Sequence, residues 1–83
     1  MSFRFQESRR FAPGEIVIRE GDDSDEAYMI RAGTAEVLKR ASSGKDVRIA
    51  VLDEGEIFGE MALILDRPRS ATVRARSDLV VDV

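Results

Sequence analysis

The chain has 83 residues and a mass of 9.2 kDa; it is 43% apolar and 35% charged, with a net charge of −3 and a pI near 4.9. That is an ordinary globular mix for one small domain burying about 60–65% of its unfolded surface, with no roughly 20-residue apolar span and no cleavable leader pattern. Cysteine and histidine are both absent, which excludes disulfides, thiol nucleophiles, thiolate or imidazole metal sites and histidine acid–base chemistry. The acidic balance is the wrong one for direct nucleic-acid binding. What remains is a binding or regulatory module rather than an enzyme, with cysteine usage that fits the reducing cytoplasm.

Turn residues punctuate the chain. Pro13-Gly14, Gly21-Asp22-Asp23, Gly33, Ser42-Ser43-Gly44 and Asp53-Glu54-Gly55 recur every 7 to 12 residues, the turn spacing of an all-β sandwich or barrel. The strand-sized segments between them are residues 9–11, 15–19, 27–32, 35–40, 46–52, 70–76 and 78–83. Val47, Ile49 and Val51 fall on one face by alternation, as do Ala71, Val73 and Ala75, and then Leu79, Val81 and Val83. Residues 41–45 are polar and contain glycine, the pattern of a hairpin loop. Tyr28, Met29 and Ile30 read as core. Glu20, Asp22, Asp23, Asp25 and Glu26 lack the central glycine and distal glutamate of a calcium loop and read as a solvated turn. Arg4, Arg9 and Arg10 read as a solvated edge.

One segment breaks the β rhythm. Glu60-Met61-Ala62-Leu63-Ile64-Leu65 is rich in helix formers and lies between Gly59 and Pro68. It is too short to stand alone, so it is expected to form one or two helical turns held against the strands. The free N–H groups and positive end of such a turn favour an anion. Gly59 and Ala62 leave room for a ligand, and Arg69 offers a planar fork of donors suited to phosphate oxygens. Glu60 repels phosphate, and either accepts from a hydroxyl beside that phosphate or merely complements the helix dipole. Arg69 taken alone also fits an ordinary surface ion pair, and Ser70 a residue that merely leads into a strand.

Phe58-Gly59-Glu60-Met61-Ala62-Leu63 followed by Pro68-Arg69-Ser70-Ala71-Thr72-Val73 closely resembles the phosphate-binding cassette of cyclic nucleotide-binding domains. That family includes catabolite-activator-type regulators, the regulatory subunit of cyclic-AMP-dependent kinase and cyclic-nucleotide-gated channels. Phe11-Ala12-Pro13-Gly14-Glu15, Glu20-Gly21-Asp22, Tyr28-Met29-Ile30 and Gly33-Thr34-Ala35-Glu36-Val37 resemble its turns and strands, so the likeness covers nearly the whole chain. It implies an all-β, jelly-roll-like β-roll with one short helix in the cassette. Arg69 then pairs with the cyclic phosphate, and Glu60 accepts from the ribose 2′-hydroxyl. Backbone groups of Gly59, Met61, Ala62, Ser70 and Ala71 complete the cradle. Relatives that favour cyclic GMP commonly have threonine where Ser70 stands, so the resemblance implies cyclic AMP ahead of cyclic GMP. No cofactor or metal is expected.

Family members usually continue into hinge and lid helices after the last strand. Residues 1–83 are therefore expected to be one β-roll, truncated before those helices, and to serve as the sensor of a larger signalling protein. The expected partners are a cyclic nucleotide and an attached effector domain or a second copy, with no direct nucleic acid and no membrane insertion. Val80 lies opposite Leu79, Val81 and Val83, so the last strand is expected to carry apolar groups on both faces and to favour self-association. The alternative is a β-roll that keeps the fold as a structural or interaction module without binding; Arg69 and Glu60 argue against it, since a degenerate site needs neither. An enzyme such as a phosphodiesterase is disfavoured, because carboxylates are the only candidate acid–base groups.

Overall fold

A computed structural model describes residues 5–60 and 68–83. The described residues form eight strands: β1 (Ser8–Phe11), β2 (Ile16–Ile18), β3 (Tyr28–Ala32), β4 (Ala35–Arg40), β5 (Asp46–Leu52), β6 (Ile57–Phe58), β7 (Thr72–Ala75) and β8 (Leu79–Asp82). They make two four-stranded sheets, ordered β1-β8-β3-β6 and β2-β7-β4-β5, with every pairing antiparallel. All seven expected strands are present. The eighth, β6, is only two residues long and too short to show a period of its own. The expected helix at residues 60–65 lies almost wholly outside the described residues. Among those residues no helix is long and apolar enough to cross a membrane.

One core joins the two sheets. Ile18, Ala35, Val73 and Ala75 from one sheet and Tyr28, Ile30, Phe58, Leu79 and Val81 from the other form a single buried cluster. These are the inward positions of alternating strands, as the period-2 pattern of β7 and β8 requires. The turn between β3 and β4 depends on Gly33. Its φ is +88°, and a Cβ there would collide with the Asp78 carbonyl oxygen, so only glycine lets the two turns approach this closely. The β4–β5 hairpin closes as expected, with Ala41 N–H donating to the Lys45 carbonyl (2.8 Å) and Gly44 N–H to that of Ala41 (2.9 Å).

One expectation about strand faces is corrected. Val47, Ile49 and Val51 do not share a buried face; they are 50%, 60% and 42% exposed. The register passes from Val37↔Ala50 to Leu38↔Arg48, so Ile49 is the extra residue of a β-bulge. Val51 then stands opposite Glu36 and Val47 opposite Lys39. Those β4 positions are an odd number of residues apart, so the two valines point to opposite sides. β5 is also an edge strand, with β4 its one neighbour. In β8, Val80 is half-buried and Asp82 is buried. The Asp82 carboxylate accepts from Arg31 Nε (3.1 Å) and Nη2 (2.6 Å) and from Ser8 Oγ (2.7 Å), tying β3, β8 and β1 together.

Candidate functional site

The sequence around Arg69 is anchored before its side chain is considered. Arg69 N–H donates to the Asp22 carbonyl (2.7 Å), and Gly21 N–H donates to the Arg69 carbonyl (2.8 Å). This reciprocal pair fastens the stretch before β7 to the loop between β2 and β3, nearly fifty residues away in sequence. The side chain then turns inward and is 6% exposed. Its Nε donates to Ser24 Oγ (3.1 Å), Nη1 to the Gly59 carbonyl (2.8 Å) and Nη2 to the Glu26 carbonyl (2.6 Å).

Every one of those acceptors is neutral. No carboxylate among the described residues forms an ion pair with Arg69, so the surface-ion-pair reading does not describe it. The Glu26 carboxylate acts on this guanidinium through space but forms no ion pair with it, so a buried positive charge bonded to neutral oxygens would gain from a directly bonded anion. Three of the five N–H groups that a guanidinium carries hold it in place against described residues.

Gly59 follows β6 directly, with φ at +83°. A Cβ there would lie 2.8 Å from the Glu26 carbonyl oxygen and 3.0 Å from Arg69 Nη1. Glycine is therefore required both by the backbone and by the closeness of the arginine. Phe58, the preceding residue, is fixed by stacking on Tyr28, with ring centroids 5.1 Å apart and planes at 16°.

Glu26 sits behind the arginine. Its carboxylate accepts from Arg9 Nη1 (3.0 Å) and Nη2 (2.7 Å) and from the Tyr28 hydroxyl (3.0 Å). The Arg9 fork, first, and the tyrosine hydroxyl hold this carboxyl below the usual carboxylate range against the opposing effect of desolvation. Burial, first, and the Glu26 carboxylate push the Tyr28 hydroxyl above its usual value.

The structure thus brings Gly59 and Arg69 into direct contact. Ser70 and Ala71 continue from Arg69, exposed and half-buried respectively, and the Ser70 carbonyl accepts from Lys39 Nζ. Glu60 is half-buried next to Gly59. Met61 and Ala62 lie outside the described residues. Sequence reasoning missed Ser24 and Glu26, which it placed in a solvated acidic turn. Asp22, Asp23 and Asp25 are exposed as expected, whereas Glu26 is half-buried and organised. Among the described residues that acidic turn holds no group placed for a metal. Arg9 is likewise half-buried and paired rather than a solvated edge.

The described residues thus form a two-sheet β-roll with a buried arginine braced against a glycine carbonyl. The family model for the cyclic nucleotide-binding domain matches residues 8–82, and the chain belongs to that family. It is 45% identical over 73 residues to the cAMP-dependent protein kinase regulatory subunit of Blastocladiella emersonii, covering 88% of this chain and 18% of that protein. The solved EAL enzyme Bd1971, in its cAMP-bound form, superposes with a TM-score of 0.84 at 39% identity, over 90% of this chain and 20% of the enzyme. The same enzyme has been solved in a cGMP-bound form with the same TM-score. The catabolite activator protein of Thermus thermophilus gives a TM-score of 0.86 at 30% identity, over 93% of this chain and 36% of that one. The resemblance and the β-roll fold read from the sequence are both borne out, and the domain is a regulatory, ligand-binding one.

Proposed function

We propose that this chain binds a 3′,5′-cyclic nucleotide, cyclic AMP ahead of cyclic GMP, as the sensor segment of a larger regulatory protein in the cytoplasm. The observation that carries the reading is the buried Arg69 guanidinium, 6% exposed and held only by neutral oxygens among the described residues. A cyclic phosphate would supply the missing negative charge through short, charge-assisted hydrogen bonds. Gly59, Glu60, Met61, Ala62, Ser70 and Ala71 are the other proposed contacts, with Glu60 accepting from the ribose 2′-hydroxyl. A β-roll that never binds gains nothing from burying an arginine this way, because an apolar residue of similar volume would serve stability as well or better.

The larger context follows from length. The chain spans 18% of the kinase regulatory subunit it matches, which supports a β-roll acting within a longer protein that carries an effector domain. Hinge and lid helices beyond residue 83, and assembly with a second copy, belong to the same proposal.

Thermal unfolding with cyclic AMP, cyclic GMP and 5′-AMP tests the binding. Ligand at 100 times its Kd adds about 2.7 kcal/mol, which for a domain of this size raises Tm by roughly ten degrees or more. The expected result is a rise with cyclic AMP, a smaller one with cyclic GMP, and none with 5′-AMP. Equal rises with cyclic AMP and 5′-AMP would contradict a site built for the cyclic phosphate.

A further inference from the structure

We propose that Arg9 and Glu26 form a positioning clamp that sets the affinity of the Arg69 site from a strand that never touches the ligand. The inference rests on the anion-binding reading of Arg69 given above. Two of the three oxygens that hold the guanidinium, Ser24 Oγ and the Glu26 carbonyl, belong to the loop between β2 and β3. Residues 21–25 of that loop are exposed and outside any strand, so their placement needs an anchor. The backbone pair of Gly21 and Asp22 with Arg69 fastens the loop's first end, and the Glu26 side chain fastens its second. Arg9, on β1, grips both carboxylate oxygens, at 3.0 and 2.7 Å, and the Tyr28 hydroxyl caps Oε1 at 3.0 Å. Such a bidentate fork fixes direction as well as distance.

The third oxygen is tied to the same assembly. Tyr28 is 3% exposed and stacks on Phe58, and Phe58 immediately precedes Gly59, whose carbonyl receives Nη1 at 2.8 Å. All three acceptors of Arg69 among the described residues therefore hang on one chain of contacts, from Arg9 through Glu26 and Tyr28 to Phe58. Arg9 in turn is set by β1, where it stands opposite Val81 of β8, and its Nη2 also reaches Glu7 at 2.7 Å. Movement of the first strand would be felt at Arg69. The Arg9 and Glu26 side chains are 35% and 39% exposed, and ion pairs of that exposure contribute little to folding. Loss of the clamp should thus be read chiefly in binding, with only a small, pH-dependent change in stability.

The test compares the wild-type chain with Arg9→Ala, Arg9→Lys, Glu26→Gln and Glu26→Ala by calorimetric titration of cyclic AMP and by the exchange rate of the Arg69 Nε–H resonance, assigned by its loss in Arg69→Lys. Backbone amide spectra report folding in each variant; should an alanine variant fail to fold, Arg9→Lys and Glu26→Gln carry the test. In the wild type the Nε–H, buried and bonded to Ser24, exchanges slowly. Arg9→Ala and Glu26→Gln are expected to speed that exchange and to raise Kd about tenfold, with Arg9→Lys recovering part of both. Combining Arg9→Ala with Glu26→Ala should cost no more than either alone, because both break one contact. Unchanged Nε–H exchange in Arg9→Ala overturns the clamp, and so does faster exchange with unchanged Kd. A wild-type chain that binds no cyclic nucleotide overturns the preceding reading of function instead, and the clamp is then judged on the exchange rate alone.

Discussion

Gly59 and Arg69 are ten residues apart and in contact through a 2.8 Å hydrogen bond, so each limits what the other position tolerates. Gly59→Ala places a methyl 2.8 Å from the Glu26 carbonyl oxygen at a φ of +83°. Strain of this kind costs about 1–3 kcal/mol, and the displaced carbonyl should also loosen Arg69. We expect the urea midpoint of Gly59→Ala to fall accordingly and its cyclic AMP affinity to drop with it; a variant with wild-type stability and affinity would contradict the packing described. At this scale the pairing of Gly59 with Arg69 was legible, because an arginine, a glycine and a short helix-prone run stand close together in sequence. Ser24 and Glu26 were not. They meet Arg69 where Gly21 and Asp22 pair with its backbone, and nothing in an acid-rich turn distinguishes Glu26 from its exposed neighbours Asp22, Asp23 and Asp25.

The strands were legible wherever the period of two is undisturbed. β7 alternates cleanly and β8 does so as far as Val81, and Val73, Ala75, Leu79 and Val81 are buried as their spacing requires. β5 alternates just as well in sequence yet is exposed, because alternation reports a regular strand and cannot report a bulge or an edge. The contrast is measurable with one substitution at two sites. Ile30→Ala, at 1% exposure, should cost about 2–5 kcal/mol through lost burial and the cavity left behind. Ile49→Ala, at 60% exposure, should cost under about 1 kcal/mol. Comparable losses in urea unfolding would mean that β5 is covered in solution, as an edge strand taken up by a partner would be.

For the molecule as a whole, two carboxylates link stability to pH. Glu26 is held below the usual carboxylate range chiefly by Arg9, and Asp82 chiefly by Arg31, then by Ser8. Their folded pKa values lie below the unfolded ones, so the folded state binds fewer protons through the acid range. The stability they contribute is fully present above the unfolded values, near pH 4, and is lost as pH falls through the folded values. Urea midpoints taken from about pH 6 down to pH 3 should therefore decline more steeply in the wild type than in Glu26→Gln, which has no such proton to take up; parallel declines would contradict the assignment.

The account turns on Arg69 as the receptor for a cyclic phosphate, and calorimetric titration of cyclic AMP into the wild-type chain and Arg69→Lys tests this most directly. Lysine keeps the charge but loses the fork, and removing part of a buried charge pair costs several kcal/mol in binding. We predict one-site binding to the wild type, weakened by at least about thirtyfold in Arg69→Lys, with the β-roll still folded. Equal affinity in the two proteins would contradict the central claim.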